Sequence, residues 1–413
     1  MINIKKLKLN KDVYVKAFLD KGADLSNEVN QVIELHDKWL VVLEKENKAR
    51  MESNSISSQI SKDPSRKDEL LAEAVIHSDQ ADKFTTEAKD LLKEITDISS
   101  TFPNVASAST PIGKDEADNT VISEHHIELQ TQGKPHYEIM EELELGMQEE
   151  SGILAGSRHV IYSGKGAELV RAIELYLLDM NMKNGFKLIT PPVLVNSEML
   201  YNTGQLPKFK DDLYELKNGQ YLIPTAEVPL TNLVTGKMLK EEELPIRYTS
   251  LTNCFRLEAG SAGMDTRGII RLHQFRKVEL VSIINPKDHE TELNFLLKTA
   301  TSILDNLKIS YRIVELCTGD LGFSAEKTFD IEVWLPGQNK YREISSVSCM
   351  SNFQARRMNT RFKTNGEKEL VYTLNGSSLA VERTFAAIIE NYYDNGKIMI
   401  PDVLQKYLDF KEI

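Results

Sequence analysis

Cysteine is scarce in this chain of 413 residues: Cys254, Cys317 and Cys349 lie far apart and form no CxxC pair. Their spacing argues against a cysteine-based zinc site and against a disulfide framework. No apolar run reaches the roughly 18 residues of a membrane-spanning helix. The first residues, MINIKKLKLNKD, contain no apolar core of a signal peptide. We therefore expect a reduced, cytoplasmic protein that is neither secreted nor inserted in a membrane.

Glycine-rich phosphate-binding motifs are absent as well. No GxxxxGKS or GxxxxGKT motif occurs, and Gly164-Lys165-Gly166 lacks the third glycine of a GxGxxG motif. The sequence has no HExxH motif and no His/Cys cluster at metal-ligand spacing. A triphosphate, if one binds, must therefore be held by arginines and a carboxylate-bound Mg²⁺ ion.

Charge is shifted to the acidic side, with a formal net charge of −12 and 27% charged residues. A nucleic acid partner must therefore contact a local basic patch, because the chain as a whole is not basic. The hydrophobic content of 41% is sufficient for a substantial core, and the length favours two domains.

Two long helical patterns follow residues 1–24, for which we expect a short strand and a helix. The first pattern covers residues 26–61 and contains neither glycine nor proline. The second covers residues 66–99, and residues 62–65 read as a turn around Pro64. The stripe positions recur every three or four residues: Val32, Leu35, Trp39 and Val42 in the first pattern, and Ala74, Ser78, Ala81, Phe84, Ala88, Leu91, Ile95 and Ile98 in the second.

This repeat predicts an antiparallel coiled-coil hairpin. About 30 residues at 1.5 Å each give an arm of roughly 45 Å, which would project from a small domain. Two helices of an ordinary bundle are the alternative. Basic residues are mildly enriched toward the turn, which is compatible with phosphate contact but also with a plain solvated face. They are Lys45, Lys48, Arg50, Lys62, Arg66 and Lys67.

The pattern changes after the second helix. Residues 101–119 have the composition of a linker. Strands are predicted at residues 187–189, 221–223, 246–250, 280–284, 312–316, 329–335 and 371–374, and helices at residues 167–181, 225–236, 290–306, 352–361 and 379–391. Several adjacent strands are joined by short loops, so we expect an α+β domain with a mostly antiparallel sheet.

The segment HQFRKVE, residues 273–279, reads as a strand after a glycine-rich loop. Side chains alternate along a strand, so Phe275, Lys277 and Glu279 share one face. Four residues at about 3.3 Å each place Phe275 and Glu279 about 13 Å apart. An aromatic ring and a carboxylate at this distance suit an elongated anionic ligand such as a nucleotide joined to a small amino acid. A half-buried strand with a solvated charged face is the alternative.

Short motifs occur in order along nearly the whole chain. They are PIGKDE (111–116), KPHY (134–137), TGQLPKF (203–209), LIPTAE (222–227), FRLEAGSAG (255–263), RLHQFRKVEL (271–280), CTGD (317–320), EVWLPG (332–337), REISS (342–346) and NGS (375–377). Each motif is weak by itself. Together, at this spacing, they resemble the seryl-tRNA synthetases, which are class II aminoacyl-tRNA synthetases.

The resemblance implies an antiparallel-sheet class II catalytic domain in residues 106–413 and a tRNA-binding domain with a coiled-coil hairpin in residues 1–105. It implies that L-serine and ATP form seryl-adenylate and pyrophosphate, and that the seryl group then passes to the 3′ end of tRNA(Ser). Enzymes of this family commonly charge tRNA(Sec) as well. It also implies a homodimer, with residues 185–192 as an interface strand, Mg²⁺ bound with ATP, and no zinc.

The resemblance assigns ATP contacts to Arg256, Leu257, Glu258, Arg271, Phe275, Glu343, Ile344, Ser345, Ser346 and Arg383. Arg256 would bind the α-phosphate and Arg383 the γ-phosphate, and these two arginines are the catalytic candidates. Phe275 would stack on adenine, and Glu258 would accept from its amino group. Glu343 and Ser346 would hold Mg²⁺ through oxygen atoms, which a hard cation prefers.

The same resemblance assigns serine contacts to Thr225, Ala226, Glu227, Glu279 and Ser377. A carboxylate can bind both an ammonium group and a small hydroxyl. Alanine would leave buried polar groups unpaired, which explains how it would be rejected.

The chain departs from the family pattern in the run SCMSNF, residues 348–353, and at two glycine positions. Ser378 and Glu382 replace glycines in the segment GSSLAVER, residues 376–383, so a close backbone approach there is altered. Glu382 lies beside Arg383 in sequence, and we expect its side chain to face away because helix neighbours point in different directions. These changes motivate an alternative: a paralogue that binds tRNA or another partner without charging it. A ligase that loads a carrier protein is disfavoured, because it has no need of the arm.

Overall fold

The computed structural model describes residues 1–62, 67–127, 133–260 and 267–413. Within these ranges the chain divides into two compact units, Met1–Pro103 and Asn104–Ile413. The predicted turn falls largely outside the described residues, as do Arg66 and part of the glycine-rich loop.

The first unit is helical. Its elements are α1 (Ile4–Leu9), α2 (Lys11–Asp20), α3 (Ser26–Lys62) and α4 (Lys67–Ser99). The strand expected within residues 1–24 is wrong. Although MINIKKLKL alternates apolar and polar residues, the Asn3 side chain accepts from the Lys6 N–H and caps a helix. Only Leu7 of that helix is buried, while Leu9 is exposed, so no strand face is used.

The predicted helical hairpin is confirmed. Buried residues of α4 recur every seven positions at Ala74, Ala81, Ala88 and Ile95. They face a buried stripe of α3 that comprises Val29, Val32, Leu35, Val42, Ala49 and Ile56. A polar contact also joins the two helices: Arg50 Nη2 of α3 donates to Thr85 Oγ1 of α4 at 2.8 Å. Small residues at the seam let the two helices approach closely over most of their length.

The second unit is built on an eight-stranded sheet in the order β1-β8-β9-β10-β13-β7-β6-β2. The strands are β1 (Thr120–His125), β2 (Lys187–Leu188), β6 (Ile246–Phe255), β7 (Gln274–Ile284), β8 (Tyr311–Glu315), β9 (Lys327–Leu335), β10 (Lys340–Cys349) and β13 (Tyr372–Ala380). Neighbours are antiparallel except for the edge strand β2, which runs parallel to β6. The predicted α+β class with a mostly antiparallel sheet is confirmed.

Smaller strands complete the unit. They are β3 (Leu194–Asn196), β4 (Gln220–Leu222), β5 (Met238–Lys240), β11 (Arg361–Thr364), β12 (Glu367–Leu370), β14 (Tyr393–Asp394) and β15 (Lys397–Ile398). The helices are α5 (His136–Glu142), α6 (Gln148–Ala155), α7 (Gly164–Lys183), α8 (Ser197–Thr203), α9 (Glu227–Asn232), α10 (His289–Leu307), α11 (Phe353–Met358) and α12 (Val381–Tyr392). No helix in the described ranges combines the length and the apolar character that a bilayer span requires.

The central strand β7 separates two apolar clusters. Val278 and Leu280 pack with residues of α7, α10 and α12 in the main core. Val281 and Ile283 pack on the other face with residues of α9 and α11. Because faces alternate along a strand, Lys277 lies on the α9 side, ahead of that second cluster. The apolar part of β7 thus anchors the strand, and its polar first half is left for a site.

The helix predicted at residues 379–391 begins at Val381. β13 continues to Ala380 because it contains a bulge: Ser377 pairs with Glu279, whereas Ala380 pairs with Lys277. Leu379, within the bulge, has a φ of +70° and is fully buried. A left-handed residue there turns the chain out of the sheet and directs it into α12.

Candidate active site

A cavity of about 540 Å³ lies beside β7, β10 and β13 and the first turns of α9 and α12. Predicted ATP and serine contacts line it: Thr225, Glu227, Arg256, Glu258, Arg271, Phe275, Glu343, Ile344, Ser346, Ser377 and Arg383. Basic, acidic and aromatic side chains that are far apart in sequence therefore meet in one pocket.

Four other predicted residues do not line the cavity. Leu257 is 38% exposed, Ala226 is buried in an apolar cluster, and Ser345 is buried with its Oγ donating to the Ser377 carbonyl at 2.5 Å. Glu279 is completely buried but bonds to side chains that do line the cavity. Ala226 and Ser345 therefore offer a ligand no free side-chain group.

The Glu279 carboxylate is held from three directions. Thr225 Oγ1 donates to Oε2 at 2.7 Å, and Lys277 Nζ lies 2.5 Å from the same oxygen. Asn375 Nδ2 donates to Oε1 at 3.2 Å. The Oδ1 atom of Asn375 is buried and has no hydrogen-bond partner among the described residues. A ligand hydroxyl or ammonium group could satisfy that acceptor.

A second buried carboxylate, Glu227, is the first residue of α9. Its Oε1 accepts a 2.7 Å hydrogen bond from Gln354 Nε2, and its backbone N–H donates to Thr225 Oγ1 at 3.2 Å. Burial, and after it the charge of Glu279, raises the pKa of Glu227 to about 7. An ammonium ion placed beside the two carboxylates would neutralise charge that the protein itself compensates only in part.

Arginines surround the other part of the cavity. Arg256 lies over the Phe275 ring, with Cζ 5.1 Å from its centroid. Arg383 Nη1 donates to the Glu343 backbone carbonyl at 2.5 Å and to Glu343 Oε2 at 3.0 Å. Its Nε donates to the Ile270 carbonyl at 3.2 Å. Three hydrogen bonds thus hold the Arg383 guanidinium group in one orientation.

Arg271 and Glu258 form an ion pair within the same wall. The Glu258 carboxylate, which the resemblance assigns to the adenine amino group, already accepts from Arg271 Nη1. A carboxylate has several lone pairs, so it can accept from Arg271 and from a ligand amine at once. The ion pair with Arg271 therefore orients the Glu258 carboxylate.

Side-chain oxygens suited to binding a cation lie on the neighbouring strands β9 and β10. Glu343 and Ser346 line the cavity, and Asp330 pairs with Ser346 across the two strands. Burial and the neighbouring Glu343 charge raise the pKa of Asp330 well above its usual range. Its buried Oδ1 has no hydrogen-bond partner among the described residues. Carboxylate and hydroxyl oxygens of this kind fit Mg²⁺.

The described residues contain no group of three His, Cys, Asp or Glu side chains arranged as a complete metal site. A cation at Glu343 and Ser346 would therefore need further ligands. Phosphate oxygens and water are the usual ones for Mg²⁺.

Sequence reasoning missed several residues of the site. Lys277 is predicted as a basic candidate on the face of Phe275 and Glu279 without a specific contact, and Asn375, which lies in the NGS motif, has no predicted role. Gln354 comes from α11 and Asp330 from β9, and nothing in their local sequence pointed to the cavity. Their contribution depends on strand register and helix packing, which sequence patterns do not specify.

The residues at the two glycine positions of the family pattern have partners in the structure. Ser378 Oγ donates to Asn181 Oδ1 at 2.7 Å, and both residues are buried. Glu382 contributes to the cavity wall, so it does not face fully away as expected. Its two carboxylate oxygens nevertheless accept from Arg276, at 2.9 Å from the backbone N–H and 3.0 Å from Nε.

Comparison with known proteins identifies the family. The seryl-tRNA synthetase N-terminal domain model matches residues 1–106, and the class II tRNA synthetase core domain model (G, H, P, S and T) matches residues 208–392. The chain is 44% identical over 408 residues to a serine–tRNA ligase of Mesoplasma florum, covering 97% of each chain.

Solved structures agree. Seryl-tRNA synthetase from Pyrococcus horikoshii complexed with ATP is 32% identical, with a TM-score of 0.91 over 100% of this chain and 99% of that chain. The cytoplasmic serine–tRNA ligase of Naegleria fowleri in complex with AMP is 28% identical, with a TM-score of 0.84 over 98% and 95% of the two chains. This chain belongs to the seryl-tRNA synthetase family.

Proposed function

We propose that this chain is an ATP-dependent ligase that activates L-serine and transfers it to tRNA(Ser). The observation that carries the proposal is one cavity that is lined by the buried carboxylate of Glu227 and by oriented arginines, with a second buried carboxylate, Glu279, bonded to its wall. The carboxylates, Glu227 and Glu279, suit the ammonium and hydroxyl groups of serine. Arg256 and Arg383 suit the phosphates of ATP.

In the first step, a serine carboxylate oxygen attacks the α-phosphorus of ATP. The bond to the β-phosphate oxygen breaks, and pyrophosphate leaves with the electron pair. Arg256 would stabilise charge on the α-phosphate, and Arg383 would hold the γ-phosphate. No general base is needed, because the serine carboxylate is already ionised at neutral pH. Catalysis is therefore mainly positioning and electrostatic stabilisation.

In the second step, a hydroxyl of the 3′-terminal adenosine of tRNA attacks the carbonyl carbon of seryl-adenylate. The new ester bond forms as the mixed anhydride bond breaks, AMP leaves, and the hydroxyl proton is released to water. The ring of Phe275 and the carboxylate of Glu258 would keep the adenylate in place through both steps.

Serine specificity would come from the buried polar groups around Glu279. The Thr225 and Asn375 contacts fix the carboxylate, so a small hydroxyl can be recognised without rearrangement. Ser377 lines the same part of the cavity. Alanine would fit sterically but would leave polar atoms unpaired, which costs free energy in a buried site.

We also propose that Glu343 and Ser346 hold Mg²⁺ together with ATP. The cation would offset phosphate charge and help pyrophosphate to leave. The unpartnered Asp330 oxygen supports a cation at this position, because a positive charge would satisfy a group that the protein leaves unpaired. No zinc is required by this scheme.

For the acceptor, we propose that residues 1–105 bind tRNA and that residues 106–413 carry catalysis, with tRNA(Sec) as a second acceptor. We propose a cytoplasmic homodimer in which residues 185–192 take part. Leu188 of the edge strand β2 is 41% exposed, as expected of a residue that a second copy covers. The buried, free cysteines Cys254, Cys317 and Cys349 fit a reducing compartment.

The test is serine-dependent ATP–pyrophosphate exchange with the purified chain, followed by aminoacylation of total tRNA. We expect exchange and charging. Absence of exchange at millimolar serine would contradict serine activation. Exchange without charging would point instead to another acceptor, such as a carrier protein. No observation in the structure favours the paralogue that binds without charging.

A further inference from the structure

The contact between Arg276 and Glu382 joins the two chain segments that carry the proposed ATP contacts. β13 pairs with β7 as far as Ala380 opposite Lys277, and α12 then begins at Val381. Arg276 is the next residue of β7 beyond that last pair. Its backbone N–H donates to Glu382 Oε2 at 2.9 Å. A side chain from α12 thus supplies the acceptor that the departing strand no longer provides.

The same carboxylate binds the guanidinium group. Arg276 Nε donates to Glu382 Oε1 at 3.0 Å, so backbone and side chain hold one carboxylate at two points. The Glu382 side chain is only 4% exposed. A buried carboxylate without a partner is strongly unfavourable, so the contact must persist whenever α12 packs on β7.

Each of the two residues in this contact is adjacent in sequence to a proposed ATP-binding residue. Arg276 directly follows Phe275, the proposed adenine-stacking ring. Glu382 directly precedes Arg383, the proposed γ-phosphate ligand. A two-point bond one residue away from each of them limits how far β7 and α12 can shift apart.

We propose that Glu382 is a positioning residue that fixes the spacing between the adenine-binding strand and the phosphate-binding helix. This inference rests on the ATP site proposed above. Glu382 is assigned no contact with a reacting atom in the proposed function, and both of its oxygens accept from Arg276. Its effect should therefore appear in ATP affinity and not in serine affinity.

A matched control exists on the same guanidinium group. Arg276 Nη1 donates to Glu174 Oε1 at 2.9 Å, and Glu174 lies on α7, away from the proposed ATP contacts in sequence. Glu174→Ala removes one ion pair with Arg276 but leaves the link between β7 and α12 intact. A merely structural ion-pair network would respond to both substitutions in the same way.

The experiment is calorimetric titration of each variant with ATP, with the melting temperature measured in parallel. We expect Glu382→Ala to weaken ATP binding about tenfold, which corresponds to about 1.4 kcal/mol. Glu382→Gln keeps one acceptor oxygen and should lose less. Glu174→Ala should stay within about twofold of the unaltered chain, even where its melting temperature falls, because both bonds between Arg276 and Glu382 remain.

Equal losses of ATP affinity in the Glu382 and Glu174 variants would overturn the positioning role, as would unchanged affinity in Glu382→Ala. If Glu382→Ala does not fold, the comparison of Glu382→Gln with Glu174→Ala decides in the same way. The titration requires neither serine nor tRNA. A chain that shows the expected order of ATP affinities without serine-dependent exchange would overturn the proposed serine activation and leave the positioning role standing.

Discussion

Gln354 Nε2 donates a 2.7 Å hydrogen bond to Glu227 Oε1, and this amide is the direct neighbour of a buried carboxylate in the cavity. The oxygen and nitrogen of the Gln354 amide cannot exchange positions. Thr373 Oγ1 donates to its Oε1 at 2.7 Å, and the Thr203 carbonyl accepts from its Nε2 at 3.1 Å. Glu227 is therefore held in place by a neutral donor. An amide orients the carboxylate but does not neutralise it, which leaves its charge available to a ligand.

Serine binding should depend on pH through Glu227. Because the pKa of the free carboxyl is raised to about 7, Glu227 is protonated below that pH and ionised above it. An ammonium group binds the ionised form, so serine affinity is fully present at high pH and is lost as pH falls through 7. One pH unit below the pKa about a tenth of the group is ionised. We expect the KM for serine to rise about tenfold between pH 8 and pH 6, measured by exchange at saturating ATP.

The control for this profile is Glu227→Gln, which has no titrating carboxyl at that position. Its KM for serine should be high throughout and should vary little over the same pH range. A serine KM of the unaltered chain that is constant from pH 6 to pH 8 would show that Glu227 does not bind the ammonium group.

Gln354→Glu should weaken serine binding specifically. The substitution replaces the donor to Glu227 with a second acidic group, and two adjacent carboxylates cannot both ionise readily. We expect the KM for serine to rise about tenfold or more, with the KM for ATP within about twofold, since a lost bond to a charged group is worth about 1.5–3 kcal/mol. Gln338→Glu is the matched control, because Gln338 accepts from Arg342 Nε and does not line the cavity. Equal effects of the two substitutions on serine would contradict the assignment.

The sequence predicts which side chains of β7 share one face, because side chains alternate along a strand. Phe275 and Lys277 do line one cavity, and Glu279 lies under it, as the period of two requires. β10 was not predicted, because its segment KYREISSVSC carries polar side chains toward the cavity and reads as a loop. Hydrophobic pattern detects strands with several apolar residues in a short run and misses β10, in which the core residues Ile344 and Val347 are separated by two serines.

Gln354 shows a second limit of sequence reasoning. Its helix was anticipated, yet its partner Glu227 is 127 positions away in the chain. Which side chain meets which carboxylate is decided by how α11 packs near α9.

Arg256 should contribute to the rate of adenylate formation more than to ATP binding. The planar guanidinium group of Arg256 can bind two phosphate oxygens as negative charge develops on them. The ammonium group of lysine cannot form this bidentate contact. We expect Arg256→Lys to lower kcat for pyrophosphate exchange about 100-fold or more, a size typical for removal of one donor to a transition state. Arg312→Lys is the control, because Arg312 pairs with Glu332 and does not line the cavity. A rise in the KM for ATP with unchanged kcat would assign Arg256 to ground-state binding only.

Discrimination against alanine should depend on Thr225. Thr225→Val keeps the shape of the side chain but removes the donor to Glu279 Oε2. The preference for serine over alanine in exchange assays should fall about tenfold, since a buried hydrogen bond to a charged group is worth about 1.5–3 kcal/mol. Thr252→Val is the control, because Thr252 is buried on β6 and its hydroxyl contacts Cys254. An unchanged serine-to-alanine ratio in Thr225→Val would show that Glu279 is not oriented for the hydroxyl.

Removal of residues 30–96 should separate the two reactions. The deleted segment lies entirely within the helical unit Met1–Pro103, so the sheet and the cavity of the unit Asn104–Ile413 keep all their residues. We expect serine-dependent exchange to remain within about twofold and charging of tRNA to be lost, because phosphate contacts supply much of the affinity for a nucleic acid. Both rates are measured on the same preparation, with ATP titration as the check that the cavity is intact. If exchange and charging fall together while ATP still binds, the hairpin contributes to adenylate formation. The assignment of tRNA binding to the first unit and catalysis to the second is then wrong.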